Sequence, residues 1–251
     1  MSTEIEWTDE TWNPITGCTK TSPGCKNCYA ERMARRLAGR YGYPEAPHHF
    51  DVALRPDRLE QPLGWRRPRM IFVCSMSDLF HEGVPWEFIL WVYKTIKRTP
   101  QHTYQILTKR PKRMLSLQPH IWGELPNVWL GVSVENPDCL WRVEELLKIP
   151  AAVRFVSLEP LLGAVDLWPY LDPQYFEPIY YSKSNPTLSW VICGGESGPG
   201  ARPMDLQWAM DVHEQCRAAG VPFFGKQASG LRPGVPLLLE GREVKEWPNG
   251  G

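Results

Sequence analysis

Seven short apolar runs, most of them separated by longer polar or helix-patterned stretches, constrain the fold of this chain more than any other feature. They are TWNPITG (11–17), MIFVCSM (70–76), TYQILTK (103–109), VWLGVSV (128–134), VRFVSLE (153–159), WVICGGE (190–196) and PFFGKQ (222–227). Rich in β-branched and aromatic residues and nearly continuous in hydrophobicity, they have the pattern of parallel strands buried on both faces. Parallel neighbours need a crossover, and most of the connections are long enough to hold a helix. PWEFILWVYKTIKRT (85–99) and LQWAMDVHEQCRAAG (206–220) show the helical period, the second closing on Gly220 as a stop signal. The alternation predicts an α/β fold, either a barrel or an open doubly wound sheet. A length of 251 residues suits a single domain of this kind, 1–251, with a sizeable core. The 25 prolines concentrate in 43–68 and 168–186, which read as surface insertions placed to act as lids, not as linkers between domains.

Polar residues collect at the C-terminal ends of these runs. Ser75, Ser77 and Asp78 follow the second, Thr108, Lys109 and Arg110 the third, and Ser133, Glu135 and Asn136 the fourth. Ser157 and Glu159 follow the fifth, Glu196 and Ser197 the sixth, Lys226 and Gln227 the seventh. In a barrel such ends face one mouth, which is where these folds place their sites. The competing explanation is that a strand simply stops where a chain turns polar.

Charge and hydropathy exclude several classes. With 28 basic and 28 acidic side chains the formal charge is zero, so nothing global favours a nucleic-acid partner. Three local stretches are basic: Arg32, Arg35 and Arg36; Arg66, Arg67 and Arg69; and Lys109, Arg110, Lys112 and Arg113. Solvated surface charge explains each of them equally well. Hydrophobic residues make up 43%, but no run approaches the length of a membrane span, and the start, MSTEIEWTDE, is acidic and polar. A cytoplasmic protein with no membrane partner is expected.

The chemistry concentrates in GCTKTSPGCKNCYAER (17–32), which places Cys18, Cys25 and Cys28 in the pattern Cys-x6-Cys-x2-Cys, after a candidate strand and before a basic helix. The total of seven cysteines is odd and the other four, Cys74, Cys139, Cys193 and Cys216, are scattered, so a disulfide framework explains them poorly. Cys74 and Cys193 lie inside apolar runs and read as small core residues. Thiolates are soft ligands, which leaves zinc, an iron–sulfur cluster or a catalytic dithiol for the clustered three. Structural zinc normally takes four protein ligands, and the nearest histidines, His48 and His49, lie some twenty residues on. A [4Fe–4S] cluster can leave one iron for an exogenous ligand, which suits three cysteines with no fourth nearby. The alternative for these three thiols is a zinc- or cluster-stabilised nucleic-acid-binding or structural protein without catalysis.

WNPITGC and CKNCYAER together resemble the cluster loop of radical S-adenosylmethionine enzymes, especially the branch related to spore photoproduct lyase. That branch usually has three residues between its first two cysteines. Here there are six, TKTSPG, in which Pro23 and Gly24 allow the extra length to loop out. Over nearly its whole length the chain is also similar to an uncharacterised group of phage and prophage proteins with this three-cysteine motif. The matching stretches are IEWTDETWNPITGC, CSMSDLFHEGVP, ILTKRPKRM, VWLGVSVEN, SLEPLLGAVDL, ICGGESGPGARPM and EGREVKEWP.

The resemblance implies a TIM-like partial (β/α) barrel of the radical S-adenosylmethionine type with six to seven parallel strands. It also implies a [4Fe–4S] cluster on Cys18, Cys25 and Cys28, S-adenosyl-L-methionine as cofactor, and an external electron donor. The chemistry would be a 5′-deoxyadenosyl radical used to modify or repair a nucleic acid or nucleotide-like substrate. Candidate cofactor contacts are Tyr29 beside the cluster or adenine, Gly194 and Gly195 for close backbone approach, Glu196 as an acceptor, and the pair Ser157 and Glu159. Candidate substrate contacts are Asp78, His81, Lys109, Glu135 and Lys226. Structural explanations compete at several of these: a plain glycine turn at 194–196, Glu159 paired with Lys109 or Arg110, and a histidine at 81 that only supports the fold.

Overall fold

A computed structural model describes residue 3 and residues 5–117, 125–172, 174 and 187–248. The described strands are β1 (Glu10–Trp12), β2 (Ile15–Thr16), β3 (Ala53–Leu54), β4 (Met70–Val73), β5 (Thr103–Thr108), β6 (Val128–Ser133), β7 (Val153–Leu158), β8 (Trp190–Gly194) and β9 (Phe223–Gln227). The described helices are α1 (Tyr29–Leu37), α2 (Trp86–Arg98), α3 (Pro111–Ser116), α4 (Trp141–Leu147), α5 (Trp168–Leu171) and α6 (Leu206–Ala219). The fold is α/β. Seven parallel strands form one sheet in the order β1-β4-β5-β6-β7-β8-β9, and β2 pairs with β3 in a separate antiparallel ribbon. Within the sheet the strands follow chain order, as expected for a partial TIM-like barrel.

All seven apolar runs are strands, most of them a residue or two shorter than the runs themselves. The first departs further. β1 stops at Trp12, and Ile15–Thr16 leaves the sheet to pair with Ala53–Leu54. Pro14 has no N–H to continue a ladder. Asn13 is drawn instead to the exit of β4, where its Oδ1 accepts from the Met76 N–H at 2.9 Å and its side chain bonds the Ser75 hydroxyl.

Two compact units divide the chain at 129/130. In the first, β1 lies parallel to β4 with Glu10 opposite Ile71, and β4 lies parallel to β5 with Met70 opposite Thr103. Its core includes Trp12, Ile71, Val73, Phe88, Ile89, Val92, Ile96, Tyr104 and Ile106, all buried. Each fully buried large apolar side chain contributes roughly 1.5–3 kcal/mol relative to exposure. The spacing 88, 89, 92, 96 gives α2 its buried stripe, with Glu87 in the first turn and Lys97 and Arg98 in the last matching the helix dipole. The proline-rich stretch 43–68 contributes β3 and two 3-10 turns, and Arg58 O in it accepts the Trp12 indole N–H at 2.7 Å.

In the second unit β7, β8 and β9 are parallel, with Phe155 opposite Trp190 and Val191 opposite Phe223. Phe155, Val156, Trp190, Ile192, Phe223 and Phe224 are buried there. α6 starts at Asp205, whose carboxylate accepts from the Gln207 N–H, and ends at Gly220 in the left-handed conformation. Of the stretch 168–186, α5 opens it, and residue 173 and residues 175–186 lie outside the described residues.

Candidate functional site

The cysteine loop starts at a fixed point. Gly17 donates its N–H to Met76 O at 3.0 Å, its carbonyl accepts from the Ser77 hydroxyl at 2.6 Å, and the Cys18 N–H donates to Phe50 O at 3.1 Å. Gly17 has φ +83°, and a Cβ there would lie 2.0 Å from Asp51 O, so only glycine fits between the two walls. The loop then makes a 3-10 turn over Pro23–Cys25 and enters α1, with Cys28 as the residue before its first turn. α1 packs through Ala30 and Ala34 against Tyr43 and Met76, and Cys28 is partly buried against that cluster. Tyr29 faces outward and is 58% exposed.

Behind the loop stands a buried polar network. Asp78 accepts from the Thr108 hydroxyl at 2.8 and 2.9 Å, from the Phe80 N–H at 2.9 Å and from the Lys109 N–H at 3.2 Å. Arg110 donates through Nη1 to Asp78 at 3.1 Å and through Nε to Glu82 at 2.9 Å. Its remaining donors face the loop: Nη2 reaches Thr19 O at 3.1 Å and Thr19 Oγ1 at 3.0 Å, and Nη1 reaches Cys18 Sγ at 3.6 Å. His81 Nδ1 accepts from the Gly83 N–H at 2.9 Å, which places the ring proton on Nε2, facing Thr19 Oγ1 at 2.9 Å. Burial, with the Arg110 and Arg113 cations, holds the His81 pKa below its ordinary value. The Asp78–Arg110 pair is buried on both sides, so removing one partner strands the other charge, an effect of about 3–5 kcal/mol.

All seven cysteines are free thiols, and Cys18, Cys25 and Cys28 are the three that are not fully buried. Burial, reinforced by the Asp78 carboxylate and opposed by Arg110, pushes the Cys18 pKa up to about 11. At Cys25 burial acts in the same direction, but hydrogen bonds at Thr21 and Ser22 and the Lys109 cation outweigh it and leave the pKa below that of an ordinary thiol. Thr21 Oγ1 and Ser22 Oγ lie 3.9 and 3.8 Å from Cys25 Sγ. Among the described residues no three His, Cys, Asp or Glu side chains are gathered closely enough to hold a metal ion, the three cysteines included.

The second unit holds its own polar strand ends. The Ser157 hydroxyl donates to Glu159 Oε2 at 3.0 Å, and Lys226 Nζ meets Glu159 Oε1 at 2.8 Å. Gly194 lies against this group, since a Cβ on it would be 3.2 Å from Glu159 Oε1. Gly195 is held from both sides, its N–H donating to Gln227 O at 2.8 Å and its carbonyl accepting from Gln227 Nε2 at 3.0 Å. A Cβ there would come within 2.3 Å of the Ser229 nitrogen. Glu196 takes three donors from Arg202: N and Nε at 2.9 Å each and Nη2 at 2.6 Å. Glu135 is fully buried and takes Arg142 Nη1 at 2.9 Å, the same nitrogen that donates to Ser133 O at 2.7 Å.

Against this geometry the chain was compared with known families and proteins. The model of a family described as "Protein of unknown function (DUF5131)" matches residues 2–237. The chain belongs to this DUF5131 family. No curated protein and no solved structure matched it.

In this DUF5131 member the residues singled out from sequence fall into separate groups. Asp78, His81 and Lys109 stand with the cysteine loop, Asp78 and His81 as buried parts of its support. Ser157, Glu159, Gly194 and Lys226 come together at three strand ends, while Glu135 and Glu196 each hold an arginine. Glu159 takes Lys226 as its partner, and Arg110 is held by Asp78 and Glu82. Sequence reading missed Glu82, Thr19, Arg142 and Arg202, and took Arg110 for a strand-end polar group or surface charge. Of the basic stretches, Arg110 and Arg113 turn inward, Arg113 donating to His81 O and, at 2.6 Å, to Val84 O. Arg69 pairs with Glu10 at 2.8 Å, while Arg66, Arg67, Arg35 and Arg36 are exposed.

Proposed function

We propose that this DUF5131 protein is a radical S-adenosylmethionine-type enzyme that modifies or repairs a nucleic acid or nucleotide-like substrate, with Cys18, Cys25 and Cys28 as the ligands of a [4Fe–4S] cluster. The observation that carries this reading is the cysteine loop itself. Three free, partly exposed thiols lie on one short loop leaving β2; the first is hydrogen-bonded by a tethered arginine, and the second has a pKa below that of an ordinary thiol. The donor chemistry fits such a cluster: three soft ligands, a cation beside them, and no fourth cysteine on the loop. Held by Cys18, Cys25 and Cys28 and reduced by an external donor, such a cluster would supply the one-electron reduction that splits the sulfonium of S-adenosyl-L-methionine into methionine and a 5′-deoxyadenosyl radical.

The protein's own part is to bind, orient and exclude water. Glu159 and Lys226 offer an acceptor and a donor suited to an amine and a carboxylate or phosphate, beside the closely packed backbone of Gly194 and Gly195. Buried Glu135 and Glu196 keep their arginines fixed and so hold the ends of β6 and β8 in shape. The likeness to phage proteins and to the spore photoproduct lyase branch supports a nucleic-acid or nucleotide-like substrate. With zero net charge, binding to a polymer would rest on local groups such as exposed Arg66 and Arg67.

Anaerobic reconstitution with iron and sulfide, followed by dithionite and S-adenosyl-L-methionine, tests the proposal. A brown protein that forms 5′-deoxyadenosine is expected, and single Ala substitutions at Cys18, Cys25 or Cys28 should lose most of the bound iron. The same change at Cys74, Cys139, Cys193 or Cys216 should keep it. A colourless protein with one equivalent of zinc, or a cluster that never yields 5′-deoxyadenosine, overturns the reading. Oligonucleotide binding that weakens steeply with salt, with a slope lowered by charge reversal at Arg66 and Arg67, would mark a polymer substrate. No binding at about 50 mM salt would leave a nucleotide-sized one.

A further inference from the structure

Arg110 is immobilised before it reaches the cysteine loop. Its Nε and Nη1 are taken by two carboxylates, Glu82 at 2.9 Å and Asp78 at 3.1 Å, and Asp78 is itself fixed by Thr108, Phe80 and Lys109. The guanidinium and the Asp78 carboxylate are both almost wholly buried, at 6% and 8% side-chain exposure, so the group is not a surface charge that happens to lie nearby. What remains of its hydrogen-bonding fork points at two consecutive residues of the loop, the Cys18 sulfur and both oxygens of Thr19. His81 closes the arrangement from the other side through Thr19 Oγ1.

Only arginine can make this set of contacts. Its planar group carries five donors in fixed directions, whereas a lysine ammonium at the same place offers three around one atom. A cationic N–H that bonds a ligating sulfur draws electron density from it and stabilises the more negative, reduced form of an iron–sulfur cluster. Such hydrogen bonds are among the factors that set cluster potentials, and the groups that orient ligands commonly govern metal affinity as well.

We infer that Arg110 is a positioning residue for the cluster, fixing Cys18 as its first ligand and raising its reduction potential through the N–H to sulfur contact. The inference rests on the cluster reading given above, and the experiment separates the two. Full-length wild type, Arg110→Lys, Arg110→Gln and the exposed-site control Lys112→Gln are reconstituted anaerobically. Iron and sulfide per chain, midpoint potential by spectroscopic redox titration, and thermal unfolding are then measured on each.

Arg110→Gln should retain several-fold less iron after gel filtration, and its remaining cluster should titrate at a more negative potential than wild type. Arg110→Lys keeps the charge without the fork and should shift in the same direction by less, which carries the test if the Gln variant does not fold. Lys112→Gln should match wild type, showing that loss of one nearby charge is not the cause. A wild-type cluster with unchanged potential in both Arg110 variants overturns the inference and leaves the cluster reading standing. Iron loss with an unchanged potential in what remains reduces Arg110 to a scaffold and also overturns it. A wild type that takes up no iron and sulfide removes the cluster reading, and the inference with it.

Discussion

Cys18 and Cys25 share one loop but stand in opposite electrostatic settings. Burial and the Asp78 carboxylate hold the first as a thiol, with a pKa near 11, while Thr21, Ser22 and the Lys109 cation favour the thiolate of the second. Since the thiolate is the nucleophile, iodoacetamide at pH 7 should label Cys25 ahead of Cys18 in the metal-free protein, as read by peptide mass mapping. Cys18 should catch up only as the pH is raised toward about 11. The reverse order at neutral pH would mean that these settings are wrong. Buried Cys74, Cys139, Cys193 and Cys216 should stay unlabelled until the chain unfolds. That Cys18, Cys25 and Cys28 share one loop was legible from their spacing alone. Their inequality was not, because part of it comes from residues far along the chain: Asp78 raises the Cys18 pKa and Lys109 lowers that of Cys25, and nothing in SMSDLF or TKRPKR marks either charge as facing a thiol.

At the scale of elements, the turn from β2 into the cysteine loop depends on one residue. Gly17→Ala puts a side chain into a left-handed conformation and drives its Cβ into Asp51 O, so the variant should lose upwards of roughly 1–3 kcal/mol in denaturant unfolding. A loss within about 0.5 kcal/mol would show that the wall at 50–51 yields easily. The strands themselves could be read from sequence because strands buried on both faces leave long unbroken apolar runs. α2 could be read because Phe88, Ile89, Val92 and Ile96 repeat with the helical period. The break after Trp12 is marked in the sequence only by Pro14, which cannot continue a ladder, while the diversion of Asn13 to residues 62 and 63 positions on could not be read. Ser157, Glu159 and Lys226 were each visible as polar strand ends, but their meeting required knowing that β7, β8 and β9 are neighbours.

For the molecule as a whole, acid should be more damaging than the zero net charge suggests. His102 is buried, with Nδ1 lacking a hydrogen-bond partner among the described residues, and burial depresses its pKa below the ordinary 6.5; that of His81 is depressed as well. Between 6.5 and the lowered folded values the unfolded chain binds more protons than the native one, so stability should fall as pH drops through that window and stay flat above it. His102→Gln should flatten part of the slope in urea titrations run from pH 7.5 to 5. An unchanged slope would place the acid sensitivity elsewhere. The stretch 43–68, which by composition alone reads as an appendage, has a consequence for how far this protein can be shortened. Phe50 O holds the Cys18 N–H, β3 pairs with β2, the Arg55 N–H donates to Pro14 O, and Arg58 O holds the Trp12 indole. A truncated gene lacking these residues, or a single protease nick between Phe50 and Arg58, would leave every cysteine in the sequence and yet untie the loop that presents them, so the smallest working version of the protein must keep that segment whole.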